Sequence, residues 1–266
     1  MLRSALLNVM MKAARKAARN LVRDFGEVEK LQVSLKGPAN FVSAADRRAE
    51  EILKEELLQA RPGYGFLGEE GGRHDGADTT HTWIVDPLDG TTNFLHGLPQ
   101  FAISIALERD GMIVAGLVYN PVTDEMFTAE RGKGAFLNDQ RIRVAARRRM
   151  ADAIIGCDLP HRGRVEQEDS YKELAAVQNE SVAALRHFGS AALDLAFVAA
   201  GRLDLYWEHN LHPWDVAAGI ILVREAGGYV TDTDGGEDIF TKGGIIAGNE
   251  ILHAELLRVL KDARKG

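Results

Sequence analysis

Between residues 82 and 129 the chain reads as short extended segments joined by tight turns, and this run restricts the fold more than any other stretch. Residues 82–85 form a β-type run that Asp86-Pro87 closes, because Pro87 has no N–H to give to a ladder. Residues 103–107 and 113–119 flank Asp110-Gly111, a strong hairpin signal. A further strand, 125–129, follows the turn Asn120-Pro121-Val122-Thr123-Asp124. The first half is therefore expected to be antiparallel and rich in hairpins.

Two helices precede this run. Leu2, Leu6, Val9, Met10, Ala13, Ala17, Leu21 and Phe25 recur at helical spacing. Arg3, Lys12, Arg15, Lys16, Arg19 and Arg23 precede the first acid, Asp24, and such an acid-poor bias also occurs in organelle transit peptides. The apolar stripe suits a helix lying on a core, and that reading is preferred. A second helix begins near Ser43, where Ser43 and Asp46 have capping-box spacing ahead of Ile52, Leu53, Leu57 and Leu58. After residue 150 helices and strands alternate: 171–179 and 190–200 helical, 203–208 extended, and 213–226 helical with Gly227-Gly228 as the stop. Strands at 229–231 and 245–247 and a helix at 251–264 close the chain. The expected class is α+β passing into α/β, with a hairpin-rich half (1–150) packed on an α/β half (151–266). No Ser- or Pro-rich linker or repeat separates them, so residues 1–266 read as one compact unit.

Charge and cysteine content limit the partners and the compartment. Thirty-nine acids against 32 Lys plus Arg give a net charge of −7, with no general attraction for nucleic acid or an anionic membrane. The run Arg141, Arg143, Arg147, Arg148 and Arg149 carries no interleaved aromatic residues and reads as a solvated rim. Cys157, the single cysteine, cannot form an intrachain disulfide, which fits a reducing compartment. The longest clean apolar stretch, 216–223, is far short of the roughly 18 residues a span requires. A soluble cytoplasmic protein is expected.

The chemistry concentrates in Trp83-Ile84-Val85-Asp86-Pro87-Leu88-Asp89-Gly90-Thr91-Thr92-Asn93-Phe94. Two carboxylates at a strand end do not both remain ionised comfortably without a cation between them. Oxygen ligands from Asp86, Asp89 and a nearby carbonyl suit a hard ion such as Mg²⁺. The N–H groups of Gly90 and Thr91, at a helix start, can hold a phosphate. Taken alone, D-x-x-D-G is also an ordinary turn, with Thr-Thr-Asn as caps. Gly68-Glu69-Glu70-Gly71 and Pro213-Trp214-Asp215 add further acids, although the helix dipole alone would accommodate Asp215. His209 and His212 form an H-x-x-H pair with no third ligand at useful spacing, so zinc is not expected.

Taken together, these segments resemble the inositol monophosphatase family of Mg²⁺-dependent, lithium-sensitive sugar-phosphate phosphatases. Trp83 to Phe94 is similar to the family's first motif. Trp214-Asp215-Val216-Ala217-Ala218-Gly219, continuing through Glu225-Ala226-Gly227-Gly228, is similar to its second. Gly68-Glu69-Glu70 and Ser43-Ala44-Ala45-Asp46 resemble the upstream acidic segments, and the likeness runs in order from the first helix to the last. It implies a layered αβαβα sandwich of the sugar-phosphatase type. It also implies two or three Mg²⁺ ions. Glu69, Asp86 and the carbonyl of Leu88 would hold the first, and Asp86, Asp89 and Asp215 the second, with a looser third near Glu69. Asp46 and Thr91 would orient and deprotonate the attacking water, with Glu69 beside them and Glu70 as a neighbouring acid. Asp46 has the capping box as its alternative role.

For the substrate, the resemblance implies Gly90 and Thr91 at the phosphate, and Gly189, Ser190, Ala191, Glu208 and Asp215 at the sugar. A solvated acid at a strand end is the alternative reading of Glu208, with the functional one preferred, and Arg186-His187 are left unassigned. The implied substrate is a small phosphate ester, first of all a myo-inositol monophosphate. Fructose-1,6-bisphosphate, adenosine bisphosphate and histidinol phosphate phosphatases share the scaffold. A homodimer is implied as well. The contrasting function is that of bacterial relatives serving as protein partners in transcription antitermination and ribosomal RNA biogenesis, where phosphatase activity is dispensable.

Overall fold

The stripe of Leu7, Met10, Ala13, Ala14, Ala17 and Leu21 is buried along one face of a helix, α1 (Ala5–Phe25), whose first turn is capped by Ser4 Oγ accepting from Leu7 N–H at 3.1 Å. The computed structural model describes residues 4–27, 33–37, 40–159 and 167–265. Leu2, Arg3 and the side chain of Ser43 lie outside the described residues, so the expected cap at Ser43 has no counterpart to report. α1 packs along α2 (Ala44–Ala60), and Lys12 and Lys16 reach across to Glu56 at 2.9 and 2.6 Å. The basic face of α1 is thus part of the fold's own surface.

Between the two helices β1 (Val33–Gly37) and β2 (Asn40–Ser43) form an antiparallel pair. The main sheet is built from β3 (Tyr64–Gly68), β4 (Gly72–His74), β5 (Asp78–Asp89), β6 (Ala102–Arg109), β7 (Met112–Asn120), β8 (Glu125–Glu130), β9 (Gly134–Leu137) and β10 (Gln140–Arg141). Its order is β10-β9-β8-β7-β6-β5-β3-β4. Asp110 and Gly111 take φ of 51° and 75°, the left-handed pair that a two-residue hairpin requires. A five-residue helix, α3 (Thr91–Leu95), follows β5.

The second sheet holds β11 (Ile154–Cys157), β12 (Ala184–Arg186), β13 (Leu205–Glu208), β14 (Tyr229–Thr231) and β15 (Ile245–Gly248), in the order β12-β11-β13-β15-β14. β11 pairs parallel with β12 and β13, and β15 pairs antiparallel with β13 and β14. The remaining helices are α4 (Gln167–Asn179), α5 (Ala191–Ala199), α6 (Pro213–Glu225), α7 (Ile239–Lys242) and α8 (Glu250–Ala263).

Strand alternation sorts the side chains into layers. Trp83, Val85, Ile103, Ile105 and Leu117 point to α1 and α2, while Ile84, Ala102, Ala106 and Val118 point to α5 and α6. The opposite side of the α5–α6 layer is closed by the second sheet, which buries its far face under α4 and α8 around Ile155, Leu205, Ile246, Leu252 and Leu256. The result is the αβαβα sandwich that the resemblance implies.

Two local expectations are corrected. β5 does not end at Asp86 but runs through Pro87 to Asp89. Its ladder to β6 is in register up to Asp86↔Ser104 and resumes at Asp89↔Ala102, so β5 carries one extra residue and the proline sits in a bulge. The first half is also not wholly antiparallel, since β3 and β5 pair in parallel from Gly65↔Thr82 to Gly68↔Val85.

Candidate active site

The bulge decides where the first two acids point. Val85 and Leu88 belong to the α1–α2 core, leaving Asp86 and Asp89 on the face toward α5 and α6. Without the extra residue, side chains three apart on a strand would lie on opposite faces. Asp86, 2% exposed, is held by the Leu88 N–H donating to its Oδ1 at 2.8 Å. Gly90 takes a φ of 91°, where a Cβ would also lie 2.8 Å from the Gln100 carbonyl, and α3 starts immediately after it. The Thr91 hydroxyl donates back to the Leu88 carbonyl at 3.0 Å.

Asp89 reaches the start of α5. Its Oδ2 accepts from Ser190 Oγ at 2.5 Å and from Ala192 N–H at 2.8 Å, and Ser190 Oγ accepts from Leu193 N–H as the helix cap. Asp215 lies in the first turn of α6, where its Oδ2 accepts from His212 N–H at 2.6 Å. Ser104 Oγ donates to the Trp214 carbonyl at 3.2 Å, tying this end of α6 to β6.

The other acids come from the opposite side of the sheet edge. Asp46, 1% exposed, stands in the first turn of α2, and Glu69 and Glu70 follow β3. Ligand oxygens of Asp46, Glu69 and Glu70 lie within 4.8 Å of one another. The loop that carries the two glutamates is gripped by Glu50 of α2, whose Oε2 and Oε1 accept from the N–H groups of Glu70 and Gly71 at 2.8 and 2.7 Å. A Cβ on Gly68 or Gly71 would stand 2.4 or 2.7 Å from the Glu50 carboxylate, which explains both glycines of the Gly-Glu-Glu-Gly segment sterically. The sequence alone did not single out Glu50. Its only signal was an acid one turn beyond Asp46 on the same helix face.

Burial first, and then Glu69, Asp89, Asp215 and Asp46, push the Asp86 carboxyl well above its ordinary range. Asp89 is pushed up to about 6 by burial, against the lowering effect of the Ser190 and Ala192 hydrogen bonds. Asp215 is raised by burial and by Asp89, partly offset by the His212 N–H. Acids from four separate segments therefore share one field and resist ionising together. The donor set is made of hard oxygens, carboxylates and a carbonyl, which fits a hard divalent cation as the compensating charge.

The predicted sugar-side residues gather beside these acids. Gly189 approaches Asn93 so closely that a Cβ would lie 3.1 Å from Nδ2, and that amide donates to the carbonyls of Phe188 at 2.6 Å and Gln100 at 2.7 Å. Asn93, which the sequence marks only as a motif residue and a cap, thus locks α3 to the segment entering α5. Glu208 ends β13 with the Tyr206 hydroxyl donating to its Oε2 at 2.5 Å. His187 Nδ1 lies 3.4 Å from Asp158 and Arg186 donates to the Leu185 carbonyl. His209 pairs with Glu173 at 2.7 Å and the His212 ring packs edge-on against Trp214, so the two histidines serve different contacts. In the basic run Arg147 pairs with Asp204 and Arg149 with Asp152, in keeping with a rim. Among the described residues no helix is long and apolar enough to cross a membrane.

The inositol monophosphatase family model matches residues 2–265. An "Inositol-1-monophosphatase" of Mesorhizobium japonicum is 60% identical over 261 residues, 98% of each chain. A "Nus factor SuhB" of Pseudomonas aeruginosa is 40% identical over 259 residues, 96% of each. The crystal structure of "extragenic suppressor protein suhB" from Bartonella henselae superposes with a TM-score of 0.94 at 60% identity, covering 97% of this chain and 99% of that one. With that agreement along its length and the acids gathered as described, the chain belongs to the inositol monophosphatase family of phosphatases.

Proposed function

We propose that this chain hydrolyses myo-inositol monophosphates, and similar small sugar or polyol phosphates, to the free alcohol and inorganic phosphate with Mg²⁺ as cofactor, working as one unit over residues 1–266. The observation that carries the reading is the convergence of Asp46, Glu69, Asp86, Asp89 and Asp215 from four segments into one field that raises the proton affinity of Asp86, Asp89 and Asp215. Glu69, Asp86 and the Leu88 carbonyl would hold one ion, Asp86, Asp89 and Asp215 a second, and Glu69 with its neighbours a looser third. When bound, Mg²⁺ lowers the pKa of a water nucleophile and neutralises charge on the phosphate and the leaving oxygen.

The chain's own groups do the rest. The Thr91 hydroxyl donates its hydrogen bond to the Leu88 carbonyl, which leaves its oxygen as an acceptor for the attacking water. Asp46, with Glu69 and Glu70 beside it, takes the water's proton. The Gly90 and Thr91 N–H groups hold the phosphate, and Gly189, Ser190, Ala191, Glu208 and Asp215 receive the hydroxyls of the alcohol. The water oxygen bonds to phosphorus as the ester P–O bond breaks, and the departing alkoxide takes a proton from solvent water, balanced when Asp46 returns its proton to solvent.

Phosphate release from a panel of esters, with Mg²⁺ and with EDTA, tests this. Release from an inositol monophosphate that EDTA abolishes and lithium inhibits is expected. Release only from other esters would reject the substrate, and no release from any ester would reject the function. The reading includes a homodimer, to be measured by light scattering, and residence in the cytoplasm. The relatives named Nus factors favour a second role as a protein partner in transcription. A pull-down comparing the wild type with Asp86→Asn tests it, since such a role survives loss of turnover.

A further inference from the structure

We propose that Tyr206 is a positioning residue for alcohol recognition: its hydroxyl, donating to Glu208 Oε2, fixes the glutamate that reads the polyol hydroxyls. This rests on the assignment of Glu208 above and extends it to a residue that does not touch substrate.

Tyr206 and Glu208 are two apart on β13 and so share one face of the second sheet. Tyr206 is fully buried, and its backbone is paired on both sides, to Gly156 of β11 and Ala247 of β15. A Cβ on Gly156 would lie 3.2 Å from the Tyr206 ring, so the ring occupies the space that a side chain would need. A ring held this way places its hydroxyl at one point, 2.5 Å from Glu208 Oε2. A glutamate side chain has several torsions, and an acceptor aimed before the ligand arrives loses less freedom on binding.

The surroundings are acidic, and a donor in them has an orienting task. Asp194 lies one turn after Ser190 on the same face of α5, is 2% exposed, and its Oδ1 has no hydrogen-bond partner. The acids that act on it are Glu208, Asp89 and Asp158, after the effect of burial. Glu208 shares this crowded acidic field, and the hydrogen bond from the phenol fixes the direction of one of its oxygens. Burial, then Glu208 and Asp194, raise the phenol well above its ordinary range, so it stays a donor throughout the working pH.

A buried tyrosine that merely satisfies its hydroxyl predicts a different result on substitution, a loss of stability indifferent to substrate. The test compares kcat and KM for myo-inositol 1-phosphate and for p-nitrophenyl phosphate, an ester without alcohol hydroxyls, in Tyr206→Phe, Glu208→Gln and the double variant. For Tyr206→Phe the expected change is a higher KM for the inositol ester. The ratio of kcat/KM between the two esters should fall about tenfold, the size of one lost aimed hydrogen bond to a charged group. The double variant should then lose no more than Glu208→Gln alone, because the tyrosine acts through the glutamate. Equal losses on both esters, or losses that multiply in the double variant, overturn the inference. Should Tyr206→Phe not fold, Gly156→Ala crowds the ring while keeping the hydroxyl: a reduced ratio supports the proposal and a wild-type ratio overturns it. A wild type with no preference for the inositol ester would instead reject the substrate reading, and this inference with it.

Discussion

One surplus residue between Asp86 and Asp89 puts both carboxylates on the same face of the main sheet, where α5 and α6 bring Ser190 and Asp215 to meet them. The resulting crowding is unfavourable to the metal-free fold. Asp86→Asn removes a buried acid from a field of acids, so the variant is expected to lose more than about a hundredfold in turnover, since even groups behind metal ligands are worth 10–100-fold. It should melt, in EDTA, no lower than wild type, and its melting temperature should no longer respond to Mg²⁺. Thermal melts with and without Mg²⁺, beside phosphate-release rates, check this, and near-native turnover would remove Asp86 from the site. Glu50 belongs to the same scale. Its two oxygens hold the N–H groups of Glu70 and Gly71, and in Glu50→Gln one acceptor becomes a donor facing a donor. The Mg²⁺ concentration for half-maximal activity should rise about 10-fold or more. An unchanged titration midpoint would show that the loop keeps its shape unaided. Only its place one turn beyond Asp46 marks Glu50 in the sequence, because its partners lie 20 and 21 residues away and its neighbours on α2 are charged as well.

At the scale of elements, α6 delivers Asp215 to the site because it lies unusually close to the sheet. A Cβ on Gly116 of β7 would stand 2.8 Å from the Ala218 carbonyl and 2.5 Å from Ile221, and one on Gly219 would stand 2.4 Å from Leu195 of α5. Gly116→Ala presses on helix backbone, which has little room to yield. A destabilisation of about 1–3 kcal/mol is expected, with a weaker response to Mg²⁺ as Asp215 is displaced, measurable by denaturant titration and thermal shift. A variant as stable as wild type would show that the helix shifts freely. The longer elements were legible in the sequence. The strands from 103 to 129, the stripe of α1 and the stops of α6 follow from periodicity and turn residues, and the observed bounds fall close to those expected. β11 and β12 were not, since four and three residues carry too little alternation to read. The end of β5 was misjudged because proline ordinarily ends a ladder, and the bulge that accommodates Pro87 depends on β6, which the local sequence does not contain. The acids of the site were legible as residue types in motifs. The aiming roles of Tyr206, Asn93 and Glu50 were not, because they exist only in contacts between distant segments.

At the scale of the whole molecule, the site lies where the main sheet, the α5–α6 layer and α2 meet, so a charge imbalance there acts on the stability of the sandwich itself. The sign follows from the raised proton affinities. Asp89, with a folded value of about 6 and an ordinary value of 3.8, binds more protons folded than unfolded through that interval, as do Asp86 and Asp215. Stability of the metal-free protein from these groups is therefore present at low pH and is lost as the pH rises through their folded values. Acids whose folded values are lowered by partners, such as Glu56 beside Lys16, work in the opposite sense, but their contribution is complete once the pH exceeds their ordinary value of 4.5. His253, lowered by burial, adds stability as the pH rises toward its ordinary value of 6.5, above which its contribution is complete, and it does so with or without metal. The difference between melts in Mg²⁺ and in EDTA cancels such distant groups and isolates the site. That difference should widen as the pH rises from about 5 to 7, because the ion binds the deprotonated acids. At a Mg²⁺ concentration 100 times Kd the stabilisation is about 2.7 kcal/mol, or roughly 5–10 °C in a chain of this size. Asp89→Asn should flatten the dependence between pH 5 and 7. A Mg²⁺ shift that stays constant over that range in the wild type would mean that the ion does not displace protons from these acids, and the assignment of Asp86, Asp89 and Asp215 as its ligands would fall.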